Sequence, residues 1–424
     1  MAVDGAASDP VGGADVYLHV GLPKTGTSHV QQVLWRSRKR LAAGGVLVPG
    51  KRRDAQTMAV WDLMGRRTRG AAQPDVAGSW QALVAEVSAW SGAQVVISEE
   101  FLTTATPRQA RRAVRDLAPA RVHVVVTARD LAQVVGSVWQ QELAKGHAWS
   151  WEEFVAAVRD PEQGPAMAGV AFWLHHDLVR VLDAWEAAVA RDRVHVVTVP
   201  PPGASRHLLR QRFAAAAHLD PDALSAKLPG GNVSVGVPEA EVLRRLNAGL
   251  GGRLNERQYV STVQQVVKPA LRQRRSSPPI ELPADELGWV EERATALVAE
   301  LRARNYDVVG DLADLVPAAR AVPGTGGRRP DDVADAELAD AAMTALVALA
   351  EEYASLWWRT SRTEAGSSAT GMNRVASQAR AQGFRVRLAV LRLADRNRWV
   401  NRAVHLFVRR SAGAWLRRPA HRQD

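Results

Sequence analysis

The sequence predicts a parallel α/β fold: one sheet of buried strands with helices on both faces, followed by a helical C-terminal extension. Three observations predict it. Short apolar runs recur at Val16–Val20, Val95–Ser98, Val122–Thr127 and Val194–Val199, and they do not alternate apolar with polar residues. Helical patterns separate these runs, as strands buried on both faces require. A glycine-containing loop, Gly21–Ser28, joins the first run directly to the first helical pattern.

The elements follow in order. After the loop, Val30, Val33, Leu34 and Leu41 recur at helical spacing, and Gly44-Gly45 closes the pattern. Val95–Ser98 precedes a helix predicted over Pro107–Leu117, and Val122–Thr127 precedes one over Leu131–Lys145. A long helix through Leu174–Val189 leads to Val194–Val199. From Pro200 to Pro317 the pattern is mostly helical, with loops at Leu228–Val237 and Arg274–Pro283. Ala321–Pro330 is rich in Pro and Gly and reads as a linker. Asp332–Thr360 is a further helix ending in Trp357-Trp358, and Glu364–Gly371 a second linker.

Composition narrows the classes. At 424 residues, 46% hydrophobic and 23% charged, the chain can bury a large core and is not disordered throughout. It has no cysteine, which excludes disulfides, thiolate metal sites and a Cys nucleophile. The net charge of +11 is local. Between Asn373 and Asp424 stand 13 arginines against two acids, Asp395 and Asp424, so the other residues balance. Any electrostatic partner is therefore a partner of the tail. The first residues carry no secretory signal and no run is long and apolar enough to span a membrane, so the expected location is cytoplasmic.

The Gly21–Ser28 loop has the makings of a phosphate site. Gly21 and Gly26 admit close backbone approach, and the amides from Lys24 to Ser28 open a helix N-terminus. Lys24 adds a point charge, and Thr25, Thr27 and Ser28 are expected to supply hydroxyl donors. The loop is not a Walker A motif, because Lys24 precedes the last glycine instead of following it. After the third run, Arg129 and Ser137 stand eight residues apart, where a charged fork and a hydroxyl suit a second phosphate.

Gly-Leu-Pro-Lys-Thr-Gly-Thr-Ser after a first strand resembles the 5′-phosphosulfate loop of sulfotransferases that use 3′-phosphoadenosine 5′-phosphosulfate. The Arg129/Ser137 pair resembles their 3′-phosphate site. Val138-Trp139-Gln140-Gln141 and Tyr306–Leu312 look like an actinobacterial-type branch. The resemblance implies a P-loop-type sheet over residues 15–317. It further implies 3′-phosphoadenosine 5′-phosphosulfate as donor, no metal, and a hydroxyl acceptor on a carbohydrate, glycolipid or small metabolite. Pro23, Lys24, Thr25, Gly26, Thr27 and Ser28 would hold the 5′-phosphosulfate, and Arg129 and Ser137 the 3′-phosphate. The cytosolic members' Arg-Lys-Gly-x-x-Gly segment has no counterpart, although Gly230–Ser234 occupies a similar place.

Sulfuryl transfer needs a base for the acceptor proton, and the family places it at the end of the preceding strand. Here that strand ends in Glu99-Glu100-Phe101. Strand alternation sends the two carboxylates to opposite faces, and Glu100 is favoured because its place before Phe101-Leu102 resembles that branch of the family. Glu99 and His29 are the other candidates, and a pair of capping, solvated acids is the competing structural role. His19 reads as a core residue. Adjacent His175 and His176 diverge on a helix and make no metal pair. Trp139, Trp149 and Trp151 read first as structural tryptophans, with an acceptor or adenine surface as the alternative.

The resulting organisation is a nucleotide-binding domain (15–317), a linker (318–331), a helix (332–362), a second linker (363–372) and a basic amphipathic tail (373–424). The tail suits the inner face of an anionic membrane, or packing on Trp357-Trp358. Nucleic acid is not expected, since no aromatic-interleaved basic surface is present. Two alternatives stand beside the sulfotransferase: a kinase-like phosphotransferase, and a non-catalytic membrane-surface adaptor with a vestigial nucleotide fold.

Overall fold

The computed structural model describes residues 13–66, 75–205, 207–224, 235–274, 277–317, 329–365, 393, 399 and 400. The predicted loop at Leu228–Val237 and both linkers fall largely outside these residues, as does nearly all of the Arg-rich tail. Gly230–Ser234 lies wholly outside them.

Six strands form one sheet: β1 (Asp15–His19), β2 (Val46–Leu47), β3 (Gln94–Ser98), β4 (Arg121–Ala128), β5 (Val194–Thr198) and β6 (Asp307–Val309). Their order is β2-β3-β1-β4-β5-β6, and every neighbouring pair is parallel. The chain is thus a parallel α/β protein with a P-loop-like sheet. β1 lies at the centre, with His19 in register with Ser98 of β3 and Val125 of β4. Because the chain builds outward from β1 in both directions, the carboxyl ends of β3, β1 and β4 border the switch point where such sheets bind ligands.

The alternation of side chains divides the core. Val16, Leu18, Val95, Ile97, Val124, Val126 and Val196 face one way and share a cluster with Trp80, Leu83, Leu182 and Trp185. These last residues come from α3 (Ser79–Ser88) and α8 (Leu178–Glu186); α1 (Thr27–Ala43) and α2 (Ala55–Leu63) precede them. Tyr17, Val96, Val125 and Val197 face the other way, against Val30, Val33 and Leu34 of α1 and Phe213. Each such fully buried side chain contributes about 1.5–3 kcal/mol relative to exposure.

The other helices are α4 (Pro107–Asp116), α5 (Leu131–Ala144), α6 (Trp151–Arg159), α7 (Ala166–His176), α9 (Leu208–Ala216), α10 (Val237–Leu250), α11 (Glu256–Tyr259), α12 (Lys268–Arg272), α13 (Leu287–Arg304) and α14 (Asp335–Ala365). A π-helical turn, Val260–Val267, joins α11 to α12. The predicted single helix through Leu174–Val189 is in fact two. Asp177 takes an extended ψ of 94° and accepts a hydrogen bond from the Arg180 amide at 3.0 Å, so it ends α7 and caps α8. A second core joins α5, α6, α7, α10, α12 and the start of α14 around Trp139, Trp151, Phe154, Phe172, Leu243 and Ala341.

The chain divides into two compact units, Met1–Leu349 and Ala350–Asp424. The first holds the sheet and the second core. In the second, Tyr353, Leu356, Trp357 and Trp358 are exposed, and the two indoles meet edge to face at 4.9 Å. Among the described residues no helix is long and apolar enough to cross a membrane.

Candidate active site

Three groups meet at the carboxyl ends of β1, β3 and β4. From β1, the Val20 amide donates to Val125 O (2.9 Å) and the Leu22 amide to Thr127 O (3.2 Å), so the chain leaves the sheet beside β4. It then reverses into α1 through two left-handed residues, Lys24 (φ 66°) and Gly26 (φ 86°). For Lys24 this conformation costs about 1–2 kcal/mol, a strain that marks functional loops. At Gly26 that φ favours glycine, and a Cβ there would also displace the Leu209 side chain, whose Cδ2 lies 2.3 Å from the position. The amides of Gly26, Thr27 and Ser28 take no acceptor among the described residues. They open α1 with the positive end of its dipole.

A buried polar chain holds the loop from below. Ser98 Oγ lies 2.7 Å from His19 Nδ1, His19 Nε2 lies 3.2 Å from Thr127 Oγ1, and Thr127 Oγ1 lies 2.7 Å from Thr25 Oγ1. Thr25 donates in turn to Leu22 O at 2.5 Å. Complete burial holds His19 at about 3, so its ring is neutral and bonds through one donor and one acceptor nitrogen. The Thr27 hydroxyl also donates to Leu22 O, at 3.2 Å. This corrects the expectation that Thr25 and Thr27 offer their hydroxyls to a ligand: both are buried and turned inward to shape the turn. Ser28 alone of the three is exposed.

From β4, Arg129 enters just before α5. Its Nη1 donates to Lys24 O (3.3 Å) and its Nη2 to Gln133 Oε1 (2.6 Å), tying the end of β4 to the β1 loop. Its Nε is buried and has no partner among the described residues. Burial lowers its pKa, with the Asp130 charge opposing. Asp130 caps α5 by accepting from the Ala132 amide at 2.9 Å. Ser137 lies two turns along α5, donating to the Gln133 carbonyl at 3.1 Å. Arg129 and Ser137 therefore both reach Gln133.

From β3, the two glutamates separate. Glu99 is extended and caps the 3-10 turn Glu100–Thr104, accepting from the Phe101 amide at 3.4 Å. Its other oxygen accepts from Thr57 Oγ1 at 2.5 Å. Burial raises its pKa, while those hydrogen bonds pull it down. Glu99 faces a cavity of about 180 Å³ shared with Thr57 and Ser28. Glu100 faces a different cavity, of about 320 Å³, with Pro23, Lys145 and Trp149 in its wall. Burial raises the Glu100 pKa, and the charges of Lys24 and Lys145 oppose that. Lys24 is shifted down, first by burial and against the pull of Glu100. The charges of Lys24 and Glu100 thus act on each other, each favouring the other's ionised form.

His29 borders neither of these cavities; it lines a small recess with Arg210 and Phe213. Trp139 and Trp151 are core residues, and the Trp139 indole donates to Trp149 O at 3.1 Å. Trp149 stacks on His147 at 4.0 Å and reaches the Glu100 cavity. The sequence did not single out Lys145 or Gln141, and weighed His175 and His176 only as metal ligands, yet all four line that cavity. A signal existed for two of them: Gln141 and Lys145 follow Ser137 by four and eight residues, on one helix face. Among the described residues no three His, Asp or Glu side chains cluster as metal ligands.

Comparison with solved structures finds similarity to a sulfotransferase from Alicyclobacillus acidocaldarius, at 15% identity and a TM-score of 0.33, covering 50% of this chain and 85% of that one. No protein-family model and no curated protein matches.

Proposed function

We propose that this chain is a sulfotransferase that moves the sulfuryl group of 3′-phosphoadenosine 5′-phosphosulfate to a hydroxyl acceptor. The observation that carries the reading is the convergence of Lys24, Arg129 and Glu100 at three adjacent strand ends, with Arg129 bonded to the Lys24 carbonyl. The residues suit the donor: a buried guanidinium whose Nε has no partner among the described residues, open amides at Gly26–Ser28, and a left-handed glycine that turns those amides outward from the strand. The loop amides, Lys24 and the Ser28 hydroxyl would hold the 5′-phosphosulfate. Arg129 and Ser137 would hold the 3′-phosphate.

The bound donor supplies an activated sulfuryl group. The protein's own contribution is threefold. The loop amides and Lys24 stabilise negative charge on the departing phosphate without reorganising. Glu100, its pKa raised toward the working range, accepts the proton of the acceptor hydroxyl. The cavity beside it holds that hydroxyl in place. The test is transfer of label from radiolabelled donor to a panel of sugars and alkyl glycosides by wild type and Lys24→Ala. The variant is expected to lose at least about 100-fold in rate; an unchanged rate overturns the mechanism.

A further inference from the structure

The wall of the Glu100 cavity is only partly suited to a polar molecule. Phe101, Phe154, Phe172 and Val138 bring apolar surface into the same wall as the carboxylate of Glu100 and the charge of Lys145. α7 builds much of this wall through Ala168, Phe172, His175 and His176. A second side of α7 is fixed against α6: a Cβ on Gly169 would strike Ala157 O, and the Trp173 indole donates to Val158 O at 2.8 Å.

The third side faces solvent and is apolar. Met167, Val170 and Leu174 are 65%, 55% and 43% exposed. At positions i, i+3 and i+7 they form one stripe, within about 60° around the helix. Among the described residues before α14, these three are the exposed large hydrophobics. Scattered exposed apolar residues need no explanation, but a continuous stripe marks a contact. Ala171 lies between the stripe and the cavity and lines the latter, so the two apolar surfaces are continuous along one helix.

Resting on the sulfotransferase reading above, we infer that the acceptor is an amphiphile, with a hydroxylated head in the cavity at Glu100 and a hydrocarbon chain laid along Met167, Val170 and Leu174. The head satisfies the polar side of the cavity. The chain leaves across Ala171 and removes the stripe from water. A small hydrophilic sugar would leave both the aromatic wall and the stripe uncovered.

The experiment is calorimetric binding of n-alkyl β-D-glucosides, from methyl to octyl and below their micellar concentrations, to the full chain. Affinity is expected to rise about two- to fourfold per methylene. Met167→Ser, Val170→Ser and Leu174→Ser together are expected to flatten that dependence and leave methyl glucoside binding unchanged. Equal affinities along the series, no binding of any member, or an undiminished slope in the triple variant overturns the inference. So does a change of oligomeric state in the triple variant, which would assign the stripe to a second copy of the chain. Because binding is read without transfer, failure of the sulfotransferase reading is seen separately, as loss of nucleotide binding.

Discussion

Replacing Arg129 tests whether the β4 end reads a phosphate. The guanidinium makes two bonds inside the protein, to Lys24 O at 3.3 Å and to Gln133 Oε1 at 2.6 Å, and keeps Nε buried without a partner among the described residues. Losing these two bonds from a charged donor costs up to about 3–6 kcal/mol, so the melting temperature of each variant is read beside its affinity. A charge-assisted bond to a phosphate is worth about 1.5–3 kcal/mol, or about 10- to 150-fold in affinity. Arg129→Ala should therefore weaken adenosine 3′,5′-bisphosphate by that factor, and Arg129→Lys by less, since the charge stays and the fork is lost. The assay is isothermal titration calorimetry, with adenosine 5′-phosphate as the control that lacks the 3′-phosphate. Its affinity should change less than about threefold. Equal weakening of both nucleotides would refute the assignment, because Arg129 would then act only by holding the Lys24 loop.

Three further outcomes follow from the structure. Glu100→Gln should lower the transfer rate about 10²–10⁴-fold without altering thermal stability. Glu99→Ala should do the reverse, lowering the melting temperature by about 1–4 °C through loss of its cap and its Thr57 bond, with a rate within about threefold of wild type; swapped effects would exchange the two roles. Stability should fall on acidification below about pH 6.5, because burial holds His19 and His176 at about 3 and the unfolded chain takes up the protons first. Urea midpoints at pH 7.5 and pH 5 read this. His19→Gln should shrink the difference, and an identical difference would contradict the buried-neutral assignment.

What the sequence disclosed, it disclosed through local pattern. β1, its loop and α1 are legible because strand, turn and helix follow without interruption, and Arg129 and Ser137 because their spacing lies within one strand-to-helix step. β2 is two residues long, too short for any periodicity to register. The break at Asp177 hides inside a run that is apolar on both sides, where only the capping geometry reveals it. Long-range partners were beyond reach. The inward turn of the Thr25 hydroxyl depends on Thr127, 102 positions away, and strand alternation foretold that Glu99 and Glu100 part but not that Thr57, 42 positions away, holds Glu99. The Glu100 cavity draws on the turn after β3 and on α5, α6 and α7, so only the fold assembles it.

The most direct test of the central claim is a calorimetric titration of the wild-type chain with adenosine 3′,5′-bisphosphate, set beside adenosine 5′-phosphate and ATP with Mg²⁺. Lys24 and Arg129 holding two separate phosphates predict that the bisphosphate binds at least about tenfold tighter than either control. Equal or tighter binding of ATP with Mg²⁺, or no binding of any nucleotide, would contradict the account.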